Sequence, residues 1–392
     1  MSDSKRRWFL IGMMLIAANL RLPITIIPPL LPAIERDLGL PSSMAGLITS
    51  IPLVTFAICS PIIVKIAQRW GNELTVFGLF TLLVIGSYVR IIPTTLALFL
   101  GTFLVGIGID SGNVLVPALI KDHMPTQLRL GMSLYTLSML LVGAIGTAVA
   151  GLLISHTSFG VTQGLLATIS IVALVAWVPN LRANQRDTDP DHPIERPHYH
   201  SVWTQRQGWL ITLFFGLQSL VYYAIITWLP AILTTHGVST IAASNLLTLL
   251  QLSGLPLSFM VPLLYGQRHG VTILLGIMSL GYVIAPLSLI IHTQSLVILT
   301  ITALVIGFGS GAAFNLAILF FTEKTTNPYQ TAAVSGMAQS AGYLLAAFGP
   351  LVFGFIHGFT QSWVLVLAIM AACAVALTAT GVLIQRHGSI TE

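Results

Sequence analysis

Two side chains of opposite charge stand deep inside long apolar runs, and they are the residues with most chemistry to offer. Arg21 sits in Ala17-Ala-Asn-Leu-Arg21-Leu-Pro23. It lies about 20 Å along a helix that starts near Trp8, at about 1.5 Å per residue, hence near the middle of a hydrocarbon layer about 30 Å thick. A guanidinium cannot shed its charge. At that depth the charge is costly and faces a bundle interior or an aqueous cavity. Arg21 therefore reads either as a contact for an anionic or polar ligand, or as a structural arginine neutralised by a buried carboxylate. Pro23 removes a backbone donor two residues later and kinks the helix. Asp110, also near mid-depth, shares a helical face with Asn113, Pro117 and Lys121. It is the one acid that the apolar windows place inside the layer. Burial would raise its pKa and let it carry a proton; pairing with Arg21 would do the opposite. Both readings stand at this point.

Other polar groups repeat at helical spacing. Gln218 and Tyr222 stand at i and i+4, with Ser219 and Tyr223 one position on. Ser335, Gln339 and Tyr343 recur at i, i+4 and i+8. Amides and hydroxyls without partners are costly in lipid, so these faces point inward, either to touch a ligand or to glue helices together. Asn113 and Asn315 lie among glycines, where helix packing and ligand contact compete as explanations. Arg90, near the outer end of its run, reads as an interfacial arginine that snorkels to the headgroups, or else as a second anion contact. The sequence shows no phosphate-binding G-x-x-x-x-G-K-[ST], no H-E-x-x-H and no Cys/His cluster. No cofactor, metal or enzymatic chemistry is expected. The histidines scatter over loops and span ends, where solvated side chains are expected.

These residues are carried by membrane helices. Of 392 residues, 55% are hydrophobic and 7% charged, far outside soluble averages. The net charge of +5 is spread over short loops rather than patched, which excludes a nucleic-acid footprint. Cys59 and Cys373 lie in apolar runs and form no disulfide framework. Apolar windows of about 20 residues predict spans at about 8–34, 43–66, 74–92, 96–120, 130–155 and 161–181. Six more follow at about 208–233, 239–264, 271–291, 295–321, 331–357 and 363–385. The polar stretch 182–207 reads as a cytoplasmic linker between a six-helix bundle at 1–181 and another at 208–392. Outside the spans, every lysine and arginine except Arg36 falls on one side, so both termini are expected in the cytoplasm. Trp8, Trp177 and Trp209 are expected as anchors at inner span ends, and Trp228 and Trp363 at outer ones. The first apolar run is longer than a signal-peptide core and reads as a retained span.

The halves repeat. Leu31-Pro-Ala-Ile34 recurs as Leu229-Pro-Ala-Ile232, and Gln68-Arg-Trp-Gly71 as Gln267-Arg-His-Gly270, at offsets of 198 and 199 residues. Gly106-Ile-Gly108 with Asn113 is echoed by Gly307-Phe-Gly309 with Asn315. In this register Ser219 is the neutral counterpart of Arg21. Duplicated six-helix halves are the architecture of the major facilitator superfamily, with its substrate site near the bilayer midplane. The loop Val64-Lys-Ile-Ala-Gln68-Arg69-Trp-Gly71-Asn-Glu73 resembles that superfamily's G-x-x-x-D-R-x-G-R motif, with Gln68 in place of the aspartate and Val64 in place of the first glycine.

Longer stretches are more specific. Asn19-Leu-Arg21, Gly112-Asn-Val-Leu-Val-Pro-Ala-Leu-Ile-Lys121, Leu220-Val-Tyr-Tyr-Ala-Ile-Ile-Thr-Trp-Leu-Pro-Ala-Ile-Leu233 and Ser335-Gly-Met-Ala-Gln-Ser-Ala-Gly-Tyr-Leu-Leu-Ala-Ala347 resemble the bacterial cyanate transporter and 2-nitroimidazole exporter family. The resemblance runs over essentially the whole chain and is closer to the nitroimidazole-exporter branch. It implies a secondary transporter of the inner membrane, monomeric by the default of its architecture. It would move a small polar or anionic solute by alternating access, with Arg21 matching the family's span 1 arginine. Asp110 stands where that family usually has a small residue. The residues expected to meet solute are Arg21, Asn113, Gln218, Tyr222, Gln339 and Tyr343, with Arg90 as an open second anion contact. Asp110 is the coupling or charge-pair residue, and protons and membrane lipids are the further partners. The rival readings are a multidrug-type exporter, which would need a net acidic midplane, and a receptor that binds solute without translocating it.

Overall fold

Proline decides the shape of the first helix. In the computed structural model, which describes residues 3–184, 201–326 and 328–388, the helix Asp3–Ala18 stops short. A tight turn follows in which Asn19 N–H donates to Ile16 O and Leu20 N–H to Ala17 O. Two further helical pieces continue the path, Leu22–Thr25 and Ile27–Leu38. The cause is chemical. Pro23, Pro28, Pro29 and Pro32 have no N–H, so the carbonyls four residues earlier (Asn19, Ile24, Thr25 and Pro28) lose their helical donors. The single run expected over 8–34 is thus three pieces, with Arg21 at the first break.

Among the described residues, twelve helices are long and apolar enough to cross a membrane. Spans 1 to 6 are Arg6–Thr25, Ser43–Trp70, Asn72–Val89, Thr95–His123, Leu130–Ile154 and Phe159–Ala183. Spans 7 to 12 are Arg206–Thr235, Thr240–Tyr265, Gly270–Ser288, Leu296–Glu323, Ala333–Thr360 and Trp363–Arg386. Besides the helix Ile27–Leu38, the remaining described residues form short helical and 3₁₀ segments, turns and irregular stretches, with no strand among them. Spans 4, 6, 8 and 12 begin alike. Thr94, Ser158, Ser239 and Ser362 each accept a hydrogen bond from an amide two or three residues on, at 3.3 to 3.4 Å, which satisfies one orphan donor of the first turn.

The chain packs as two compact units, one of Met1–Pro41 and Leu47–His192, the other of Ser42–Gly46 and Pro193–Glu392. Residues 185–200, the middle of the expected linker, lie outside the described residues. In the first unit, glycines on span 4 set how closely its neighbours come. A Cβ on Gly108 would lie 2.4 Å from Leu83 of span 3, and one on Gly112 would lie 2.4 Å from Leu20, beside the break in span 1. In the second unit the backbones of spans 9 and 10 meet at Gly281 and Gly309, where a Cβ on Gly309 would lie 2.7 Å from the other Cα. Span 9 carries a π turn, Leu280–Ile284, at this contact.

Several expectations about single side chains are corrected here. Trp177, Trp228 and Trp363 are buried, not interfacial anchors. Trp177 donates its indole N–H to Glu73 O and Trp228 to Pro350 O, both at 3.0 Å; Trp8 and Trp209 are exposed. Glu73 is a second buried acid at the N-terminal end of span 3, bonded to His123 at 3.0 Å. His123 is therefore no solvated loop histidine, nor is His236, which is buried against His292 with ring centroids 4.5 Å apart. His357 stacks on Trp363 at 3.7 Å.

Candidate solute-binding site

Within the first unit, Arg21 occupies the residue before the short helix Leu22–Thr25, with φ −113° and ψ −38°. Its side chain is half-buried. Two glycines of span 5 make room for it. A Cβ on Gly143 would come within 2.9 Å of Arg21 Cβ, and one on Gly146 within 2.0 Å of Leu22 Cδ1. Span 5 also supplies Tyr135, whose buried hydroxyl is near enough to the Arg21 guanidinium to feel its charge. That hydroxyl faces Asn113 Oδ1 of span 4 at 3.5 Å, the long end of hydrogen-bond range. Tyr135, which sequence reasoning missed, thus faces Asn113 and stands in the electrostatic neighbourhood of Arg21, the two residues chosen from sequence.

Span 5 also holds the broken segment in place. Thr25 Oγ1 donates to Gly143 O at 2.9 Å, and Thr147 Oγ1 lies 3.0 Å from Thr25 O and 3.0 Å from Gly143 O.

Arg90 differs from its expected role. It does not snorkel; it is fully buried just after span 3. Its Nε donates to Thr102 Oγ1 at 3.0 Å, and Nη1 donates to Pro23 O at 2.8 Å. Nη2 is buried and has no hydrogen-bond partner among the described residues.

Asp110, also buried, faces Ser60 of span 2, whose Oγ lies 2.9 and 3.0 Å from the two carboxyl oxygens. The same Oγ lies 2.7 Å from Phe56 O. A serine has one proton to give. If it goes to Asp110, the carboxylate is ionised and stabilised. If it goes to Phe56 O, the Ser60 oxygen is left to accept a proton held by Asp110. The geometry accommodates the carboxyl in either protonation state. Apart from this site, a cavity of about 590 Å³ opens where spans 2 and 4 end and span 3 begins, and is lined by Gln68, Asn72, Glu73, Asp122 and His123 among others.

In the second unit, Gln218 and Ser219 of span 7 are both buried, and Gln218 Nε2 donates to Ser219 Oγ at 2.6 Å. One turn on, Tyr222 meets Tyr223 edge to face with centroids 5.3 Å apart. Tyr282 of span 9 brings its hydroxyl close to Tyr222. That hydroxyl is buried beside Ser310 and makes no well-aligned hydrogen bond among the described residues. Sequence reasoning missed Tyr282; a tyrosine between a glycine and a proline in an otherwise apolar run was its one signal. On span 11, Gln339 donates to Ser335 Oγ at 3.1 Å, and Tyr343 packs edge-on against Phe215, one turn before Gln218. Asn315 bonds Gly311 O at 2.8 Å and Ser258 at 3.3 Å, a helix-packing role.

The fold, with buried polar clusters in twelve apolar spans, defines a polytopic membrane protein with features of a carrier. The Major Facilitator Superfamily model matches residues 9–350. The chain is 34% identical over 400 residues to the 2-nitroimidazole transporter of Escherichia coli (strain K12), covering 100% of this chain and 98% of that one. It is 25% identical over 376 residues to the cyanate transport protein CynX of the same organism, covering 94% of each. The crystal structure of the nucleoside transporter NupG superposes with a TM-score of 0.78 at 13% identity, over 98% of this chain and 100% of that one, a likeness of fold alone. This chain belongs to the major facilitator superfamily, and it is a membrane transporter.

Proposed function

We propose that this protein is a secondary transporter, not an enzyme, that moves a small polar or anionic solute across a bacterial inner membrane by alternating access. It works as a monomer with both termini in the cytoplasm. During the cycle Arg21 meets the solute's negative or electron-rich end, with Asn113 beside it. Gln218, Tyr222, Gln339 and Tyr343 supply neutral hydrogen bonds. The observation that carries this reading is the position of Arg21, a half-buried guanidinium at a helix break deep in an apolar span. A fixed charge is retained at such a place for function. The names of the two relatives, a 2-nitroimidazole transporter and a cyanate transport protein, supply the probes. Protons drive the cycle through Asp110, for which the paired geometry with Ser60 is the support.

The test is counterflow and binding in proteoliposomes with cyanate and with 2-nitroimidazole, on the natural protein and on Arg21→Ala. Cyanate binding should weaken by about tenfold or more in the variant, the size expected when a hydrogen bond to a charged group is lost. Unchanged binding of both probes in Arg21→Ala would remove the arginine from the site. A second reading, recognition of a neutral azole, is favoured by the uncharged set Gln218, Ser219, Tyr222 and Tyr282. It predicts 2-nitroimidazole counterflow that survives Arg21→Ala. Binding without counterflow would leave a receptor, and broad competition by hydrophobic cations would leave a multidrug-type exporter.

A further inference from the structure

The guanidinium of Arg90 sits in a costly place and is spent on one particular atom. It is fully buried and forms no ion pair with any described acid. Of its three nitrogens one reaches a hydroxyl, one reaches a backbone carbonyl and the third has no hydrogen-bond partner among the described residues. Burying a charge without an opposite charge costs several kcal/mol, so a residue with no task would be replaced by an apolar one at a gain. The carbonyl that Arg90 chooses is Pro23 O, at 2.8 Å. Pro23 lies two residues after Arg21, inside the four-residue helix Leu22–Thr25, which has a turn on either side of it. So short a helix cannot hold its own conformation. On its other side the piece is tied to span 5 by Thr25, Gly143 and Thr147. Arg90 is the charged half of that clamp. The arginine side chain suits the role because its rigid fork donates in two directions, to span 4 at Thr102 and to span 1 at Pro23.

We propose that Arg90 is a positioning residue for transport: by holding Pro23 O it fixes the break in span 1, and so sets the direction in which Arg21 presents its charge to the solute. The inference rests on the reading of Arg21 as the solute's anion contact. Arg90 itself does not touch solute. A shift of about 1 Å in Arg21 is enough to weaken a charge-assisted hydrogen bond steeply.

The experiment compares Arg90→Lys, Arg90→Gln and the natural protein, full length and reconstituted, by three measurements. These are the dissociation constant for cyanate, the melting temperature, and hydrogen exchange of the peptide covering residues 19–27. Lysine keeps the charge but replaces the rigid two-nitrogen fork with a single nitrogen on a flexible stem, and it serves as the folded variant if glutamine fails to assemble. The expected result is exchange accelerated in residues 19–27 ahead of other regions, with cyanate affinity lowered about tenfold. Arg90→Lys should lie between the natural protein and Arg90→Gln, and its melting temperature should stay near the natural value. Unchanged exchange in residues 19–27 of a folded Arg90→Lys overturns the clamp. Faster exchange with unchanged affinity, while Arg21→Ala loses affinity, overturns the positioning role and leaves the Arg21 site standing. Cyanate affinity unchanged in Arg21→Ala brings down the site reading and the present inference with it.

Discussion

Thr147 lies with its hydroxyl 3.0 Å from the carbonyl of Thr25, the oxygen that Pro29 leaves without a helical amide. A side chain on span 5 thus does for span 1 what the backbone of span 1 cannot do. In a lipid interior an unsatisfied carbonyl costs several kcal/mol, so the prolines that break span 1 and the threonine that faces the break belong to one design.

Thr147→Val keeps the shape and removes the hydroxyl. Leaving Thr25 O buried without this donor should destabilise the protein by about 1–3 kcal/mol. The measurement is thermal unfolding in detergent, and a melting temperature equal to that of the natural protein would show that Thr25 O has another donor.

Asp110→Asn replaces a carboxyl that can lose its proton with an amide that cannot. If the proposed coupling holds, accumulation driven by an imposed pH gradient should fall to background, while counterflow, which needs no net proton movement, continues. Ser60→Ala should shift the pH at which gradient-driven transport is half-maximal without abolishing it. Gradient-driven transport undiminished in Asp110→Asn would exclude Asp110 as the proton carrier.

His236 lies in the loop between spans 7 and 8, outside the membrane segments. Burial first, and the neighbouring His292 second, push its imidazole below its ordinary value of 6.5. The folded protein therefore binds this proton less readily than the unfolded chain. Stability is full above pH 6.5 and is lost as the pH falls through the window below it. Melting temperatures at pH 7.5 and 5.5 should differ less in His236→Gln than in the natural protein. An identical difference in both would place the acid sensitivity elsewhere.

Much of the fold is legible in sequence because a membrane span is a property of one continuous stretch. Twenty apolar residues can be recognised without knowing their neighbours. The break at Arg21 is legible for the same reason, since Pro23 acts on its own helix. What escapes is whatever depends on a second helix. Tyr135, Gly143 and Thr147 gain meaning only because span 5 lies against the break, and Tyr282 only because span 9 brings it to Tyr222. Arg90 shows the limit most clearly. Its place near a span end suggests snorkelling, yet its stem runs close to Gly101, where a Cβ would lie 2.9 Å from Arg90 Cγ, and its head turns inward to Pro23. Glu73 escapes because it sits at the boundary of its window, where one residue separates a loop acid from a buried one.

The hydroxyl caps of spans 4, 6, 8 and 12 bear on how the protein is made. In the proposed orientation, with both termini in the cytoplasm, these four helices all begin on the outer side, so their first turns would be carried through the bilayer during insertion. A capping aspartate would satisfy the same amides but would take a full charge across. Thr94, Ser158, Ser239 and Ser362 close the helix ends with groups that stay neutral at any pH of the cell. In that orientation four of the helix starts that would travel are closed without a charge, so the helix starts as well as the charged loops bear on how the chain is threaded.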